Sequence, residues 1–164
     1  ASCKLRKSCG RTATEKVMVN YKKFFWSIVT LVVVLDQLTK YLISTFKPNL
    51  DLVLLKIHYL TNTGAGFSIL TGKTWILAII SLIVIIGLIY YYKDIPKQKT
   101  PQLLFALFLG GAIGNFIDRA LRNYVIDFID FGWWPAFNIA DMALTISVVG
   151  LILYYIIEEK SNKK

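Results

Sequence analysis

Cysteine and histidine are nearly absent from this chain. Cys3 and Cys9 both lie in the polar N-terminal stretch, and His58 stands alone. A disulfide framework is therefore not expected, no CxxC or Cys/His ligand set exists, and one histidine cannot build a metal site. No metal and no cofactor are expected. The chain also lacks a GxxxxGK[ST] or GxGxxG loop and a GxSxG nucleophile elbow, which removes the common phosphate-cradling and serine-hydrolase signatures. Acidic residues are few, 10 against 19 Lys and Arg, for a net charge of +9. Such an excess could suggest nucleic acid. Its distribution argues otherwise, because most basic residues lie between or beyond long apolar runs and form no stripe. No nucleic-acid partner is expected.

The apolar fraction is 55% and the mean hydropathy +0.55, both high for a soluble domain. Four runs carry it. Phe24 to about Phe46 is the first, Trp75–Tyr92 the second, Leu103 to about Leu121 the third, and about Ile139 to Ile157 the fourth. At about 1.5 Å per residue, runs of this size approach or match a hydrocarbon core of roughly 30 Å. The expected fold is an all-α membrane protein with four transmembrane helices. Residues 1–23 read as a basic, flexible tail without a secretory signal pattern, 24–157 as one membrane domain, and 158–164 as a second tail.

Basic residues set the orientation. The stretch to Lys23 holds seven Lys and Arg, residues 93–99 hold three, and the segment after Ile157 holds three. The positive-inside rule then puts both termini and the 93–99 connection in the cytoplasm. On the opposite side, residues 47–74 alternate, so that Val53, Leu55, Ile57 and Tyr59 would share one strand face. Gly64 and Gly66 in the following segment suggest a turn or a close backbone approach. The connection at about 122–138 carries Trp133, Trp134 and Pro135, an aromatic cluster suited to a membrane surface.

Carboxylates within or beside apolar spans are costly, and they mark candidate sites. Helical rise alone places Asp36 about 18 Å from the inner edge of its run, Asp118 about 22 Å and Asp141 about 24 Å. Three helices thus bring an aspartate to similar depth, and Asp127 and Asp130 could fold back onto the same level. Each polar group also has a plainer role. Asp36 and Lys40, at i and i+4, make an internal ion pair. Asp118 beside Arg119 makes a helix-end element from which Arg119 snorkels outward. Asn115 and Asn138 hydrogen-bond between helices or brace neighbouring carboxylates, Gly110, Gly111 and Gly114 let helices approach, and Asp141 meets its helix dipole. His58 is a surface strand residue, and Asp130 is given no role.

With no metal set and no Ser/His or Cys/His pair, paired carboxylates are the available chemistry. Two close aspartates share a proton, so one can act as general base on water while the other polarises a scissile carbonyl. Spacing does not say which two aspartates pair. A proton-coupled transporter or channel subunit using the acids as a relay is the alternative, and a scaffold glued by polar contacts a third.

Five motifs in order resemble the type II, or lipoprotein, signal peptidase family. They are DQLTK at Asp36–Lys40, NTGAGF at Asn62–Phe67, GNFIDR at Gly114–Arg119, VIDF at Val125–Phe128 and FNIAD at Phe137–Asp141. The resemblance implies an aspartyl endopeptidase of four transmembrane helices with an extracytoplasmic β-cradle and a short outer helix. It implies a catalytic pair at Asp127 and Asp141. Asp36, Lys40, Asn62, Gly64, Asn115, Asp118, Arg119 and Asn138 would support the site or bind substrate. It further implies a prolipoprotein substrate bearing a diacylglyceryl cysteine, cleavage just before that cysteine, sensitivity to globomycin and residence in the bacterial cytoplasmic membrane. A monomer among membrane lipids is expected.

Overall fold

The computed structural model describes residues 13–64 and 71–162. The elements are α1 (Ala13–Phe46), β1 (Asn49–Leu52), β2 (Leu55–Asn62), α2 (Thr74–Tyr90), α3 (Lys99–Arg122), β3 (Val125–Asp130) and α4 (Ile139–Asn162), with a short 3₁₀ turn at Tyr91–Asp94. Among the described residues, four helical segments are long and apolar enough to cross a membrane: Asn20–Phe46, Thr74–Asp94, Lys99–Arg122 and Ile139–Ser161. Each contains most or all of one expected run. Two boundaries differ. The first helix already runs at Ala13 and the last continues to Asn162, so residues 13–23 and 158–162 are helical where tails were expected. Polar residues such as Lys22, Lys23 and Glu158 do not break a helix, since straight-chain side chains propagate one well in water. The expected tail at 1–12 lies outside the described residues.

The third helix is the central one. Some 56% of its apolar window is buried, against 17–22% in the other three, and α1, α2 and α4 all pack on it. Small residues make this possible. A Cβ at Gly110 would lie 2.8 Å from Val32 Cβ, one at Gly111 2.5 Å from the Ala140 carbonyl, and one at Gly114 2.6 Å from Asp36 Oδ2. Away from the sheet, Phe25, Val29, Ile85, Ile95, Ala106 and Leu109 form the apolar core. Outward faces remain apolar, with Leu31, Ile83 and Leu153 among many exposed large side chains. In a bilayer such faces meet lipid tails of similar polarity.

Three strands in the order β1-β2-β3, all antiparallel, lie at the end of the bundle where α1 and α3 stop. Helix α1 ends at Phe46 with Lys47 at φ 42° before Pro48, and α3 ends on Asn123 at φ 62°. Asn tolerates that left-handed conformation better than most residues, and proline cannot continue a helix.

The expected strand is shifted. Leu52 pairs with Leu55, so Val53 and Leu54 form the hairpin turn and Val53 is fully exposed. Ile57 pairs with Ile129 but Leu60 with Asp127, which leaves one extra residue on β2. That bulge breaks the alternation, so the even spacing of 53, 55, 57 and 59 does not define one face. The connection between α3 and α4 is more ordered than its aromatic composition suggested, because β3 occupies 125–130 and Phe137 bridges back to Ile129. Among the described residues neither the α1–α2 nor the α3–α4 connection contains the expected short helix. Residues 65–70, with Gly66, lie outside them.

Candidate functional site

The polar residues of α1 and α3 meet where the helices approach through Gly114. Lys40 and Asp36 are both fully buried, and Lys40 Nζ donates to Asp36 Oδ2 at 2.7 Å. The same ammonium lies 2.9 Å from Asp118 Oδ2 and donates to Asn115 Oδ1 at 3.2 Å. Asp118 also accepts from Arg122, one helical turn on, and from the Ile126 main-chain N–H at 3.3 Å. Asp36 spends its other oxygen on the first turn of α4, accepting the Ala140 N–H at 3.0 Å. A buried ion is tolerable only when paired and hydrogen-bonded, and both conditions hold here.

The remaining acids sit on the far side of this cluster. Asp127 stands in the middle of β3, 3% exposed. Its Oδ2 accepts from Asn62 Nδ2 on β2 at 2.9 Å, and its Oδ1 from Asn138 Nδ2 at 2.7 Å. Asn62 in turn accepts the Gly64 N–H at 2.9 Å, which turns the chain away from the strand. Asp141 opens the fourth helix. Its N–H donates to Asn138 Oδ1 at 3.0 Å while its Oδ2 accepts the Asn138 N–H at 3.3 Å, the reciprocal pattern of a capping box. Asn115 Nδ2 donates to Asp141 Oδ1 at 2.7 Å. Asn138 therefore touches both carboxylates, through its side-chain amide and its backbone.

Burial pushes the Asp127 carboxyl up to about 6, with the charge of Asp141 adding to the rise and the Asn62 and Asn138 amides opposing it. Strand residues Leu60–Asn62, the Phe131–Phe137 segment, Arg119 and the first turns of α4 join the two aspartates in lining an open cavity of about 1040 Å³. That volume is of the size that holds a small ligand or a length of peptide.

Arg119 departs from its plainer reading as a helix-end element beside Asp118. It lines the cavity with Asp127 and Asp141 instead of pairing with Asp118 or reaching outward. Its Nε is buried and makes no hydrogen bond among the described residues. Helical geometry explains the exchange: Arg122 is four residues from Asp118 and shares its face, whereas the adjacent Arg119 is turned away by roughly 100°.

All ten residues singled out in the sequence belong to this assembly. Two others were missed. Gln37 donates to Asp36, Asp118 and the Gly114 carbonyl and accepts from Arg122. Its place beside Asp36 and the i+4 spacing of Arg122 from Asp118 were the available signals. Asp130 also has a function in the fold. It holds the Gly132 N–H at 2.6 Å and pairs with His58 at 3.1 Å, fastening the turn that carries Trp133 and Trp134 to β2.

Four spans, a sheet at one end and a cavity walled by two aspartates define a polytopic membrane protein with a carboxylate site beside the sheet. Residues 28–157 match the family described as Signal peptidase (SPase) II, and the chain belongs to that family. It is a membrane peptidase of the aspartic type. The lipoprotein signal peptidase of Staphylococcus aureus strain MRSA252 is 41% identical over 158 residues, covering 88% of this chain and 96% of that one. That of Syntrophomonas wolfei is 36% identical over 145 residues, covering 85% and 97%. A solved bacterial membrane enzyme superimposes with a TM-score of 0.79 at 38% identity, covering 87% of this chain and 92% of the other. A second does so with a TM-score of 0.73 at the same identity, covering 81% and 92%. The transporter reading finds no support in any of these.

Proposed function

We propose that the protein removes signal peptides from prolipoproteins at the outer face of a bacterial cytoplasmic membrane, cleaving before a diacylglyceryl-modified cysteine, with Asp127 and Asp141 as the reacting pair. The observation that carries this reading is the shared cavity: two aspartates from different elements, bridged by Asn138, face one space at the end of the spanning helices. The names of the relatives supply the substrate class.

The chemistry follows from one shared proton. The ionised carboxylate takes a proton from water as its oxygen attacks the scissile carbonyl carbon, while the protonated partner donates to the carbonyl oxygen. A tetrahedral diol results. Its collapse breaks the C–N bond, the leaving amine takes a proton from the pair, and the diol hydroxyl returns one. The dyad ends as it began, with a single proton.

A substrate anchored by its lipid keeps its acyl chains among the helices and brings its peptide to headgroup level. Met142 and Ile146 of α4 line the cavity and are exposed, so they form an apolar path from the carboxylates toward the hydrocarbon. Confinement to the membrane plane raises the effective substrate concentration. A monomer suffices, because every group used comes from one chain.

The test uses purified enzyme and a diacylglyceryl-modified prolipoprotein, with release of the signal peptide followed by gel shift. Asp127→Asn and Asp141→Asn are each expected to abolish cleavage while remaining folded and inserted. Normal turnover by either would remove the dyad. Activity is expected to survive a chelator, and strict metal dependence would remove the mechanism.

A further inference from the structure

Three asparagine amides, those of Asn62, Asn115 and Asn138, face the two aspartates, and an amide has no intrinsic preference for which end it presents. Its oxygen only accepts and its nitrogen only donates. A carboxylate needs the nitrogen, so something must hold each amide the right way round. For Asn138 the holder is the Asp141 main-chain N–H, which donates to Oδ1 at 3.0 Å and leaves Nδ2 for Asp127. For Asn115 it is Lys40, whose ammonium donates to Oδ1 at 3.2 Å and leaves Nδ2 for Asp141 at 2.7 Å. Asn138 Nδ2 lies on the same Asn115 oxygen at 3.4 Å. Reversing Asn115 would set its NH₂ against an ammonium and an amide NH₂, and its oxygen against a carboxylate oxygen.

The charges around Lys40 balance without the aspartate pair. Asp36 and Asp118 carry two negative charges, while Lys40 and Arg122 carry two positive. No other titratable side chain among the described residues contacts the Lys40 ammonium. Arg119 stands on the cavity side, where its field meets Asp127 and Asp141. Lys40 also acts electrostatically on both of those carboxylates. Lys40 is therefore more than half of a buried ion pair, since one of its three donors is committed to the amide that serves Asp141.

We propose that Lys40 is a positioning residue for the reacting pair: its ammonium locks the Asn115 amide so that Nδ2 faces Asp141, and thereby helps hold the pair in its singly protonated state. The inference rests on Asp127 and Asp141 being that pair. A relay of this kind makes the ion cluster on α1 and α3 part of the reaction chemistry as well as helix packing. The same logic applies where groups behind a ligand orient it and tune its basicity.

Removing Lys40 alone would strand the buried Asp36 carboxylate, which has no other cation, whereas Asp118 keeps Arg122, so the test replaces it with Lys40→Met together with Asp36→Asn, which leaves the Asp118–Arg122 pair intact. Three proteins are compared with the wild type: this double variant, Asn115→Ala, and all three changes together. Cleavage is measured across pH, with kcat and KM separated and folding checked by thermal unfolding. The expected result for the double variant is a loss of about 10- to 100-fold in kcat, with KM changed less than about threefold and the alkaline limb moved to higher pH. The triple variant should move the limb no further than the larger of the two separate changes, since both break one path.

A folded double variant with wild-type kcat and pH profile overturns the proposal, as do additive shifts in the triple. Should the double variant not fold, Asn115→Ala decides: a moved limb supports the path and an unmoved one overturns it. Failure of the dyad is seen separately, because Asp141→Asn would then still turn over.

Discussion

Asn138 and Asp141 bond to each other twice, side chain to main chain in both directions, at 3.0 and 3.3 Å. This is a helix N-terminus and a site wall at once. The Asp141 carboxylate is fixed relative to the helix axis, and the Asn138 amide that remains free of the cap reaches β3. One helix start thereby sets the distance between an aspartate on α4 and another on a strand.

Asn138→Ala is expected to affect two measurements together. Losing the cap should cost about 1 kcal/mol of stability, read by thermal unfolding in detergent. Cleavage should fall by about 10²-fold or more, the scale for loss of one preorganised donor in a site. A variant with the stability loss but full turnover would show that the bridge to Asp127 has no part in the reaction.

The pH dependence follows from Asp127. Its carboxyl is pushed up to about 6 from an ordinary 3.8, so the folded protein holds a proton there that the unfolded chain has released. The resulting contribution to stability is fully present below about pH 4 and is lost as pH rises through 6, on the order of 3 kcal/mol over that window. Thermal unfolding from pH 4 to pH 8 should therefore show a downward slope between 4 and 6 that Asp127→Asn largely removes. Turnover should fall on the alkaline side, once the pair has lost its shared proton.

Asn62 opposes the rise at Asp127 by donating to its carboxylate. Asn62→Leu removes that donor, so the alkaline limb of the activity profile is expected to move to higher pH while the maximum rate falls. A limb that moves to lower pH would contradict the hydrogen bond.

Gly114→Ala probes the approach of the two ion-bearing helices. The added methyl would lie 2.6 Å from Asp36 Oδ2 and 3.2 Å from Ala140 Cβ, and neither a buried carboxylate nor a helix start can easily retreat. A loss of about 1–3 kcal/mol is expected, the usual cost of overpacking a filled interior, together with reduced turnover because Asp36 positions the first turn of α4. Gly87→Ala, with nothing within 4 Å of its new Cβ, should leave both measurements near wild type.

Some of this was legible in the residues alone. Run lengths and basic segments predicted four spans, because the thickness of a bilayer and the 1.5 Å helical rise leave little freedom. The i,i+4 spacing of Asp36 and Lys40 predicted their pairing for the same reason: a single helix decides it. The strand near Val53 was only approximately readable. A bulge at Ile57–Leu60 changes the register by one residue, and the period of two carries no trace of it.

Partners across elements lie beyond such rules. That Asp118 takes Arg122 and Lys40, leaving Arg119 to the cavity, depends on how α3 is rotated between α1 and α4. Helix ends, spans and the presence of buried acids are local properties of the chain, governed by hydrophobicity and backbone geometry. Which carboxylates share a cavity, which amide serves each, and which cation holds the amide are decided by packing. Gly110, Gly111 and Gly114 bring three helices together closely enough for those groups to have no choice of partner.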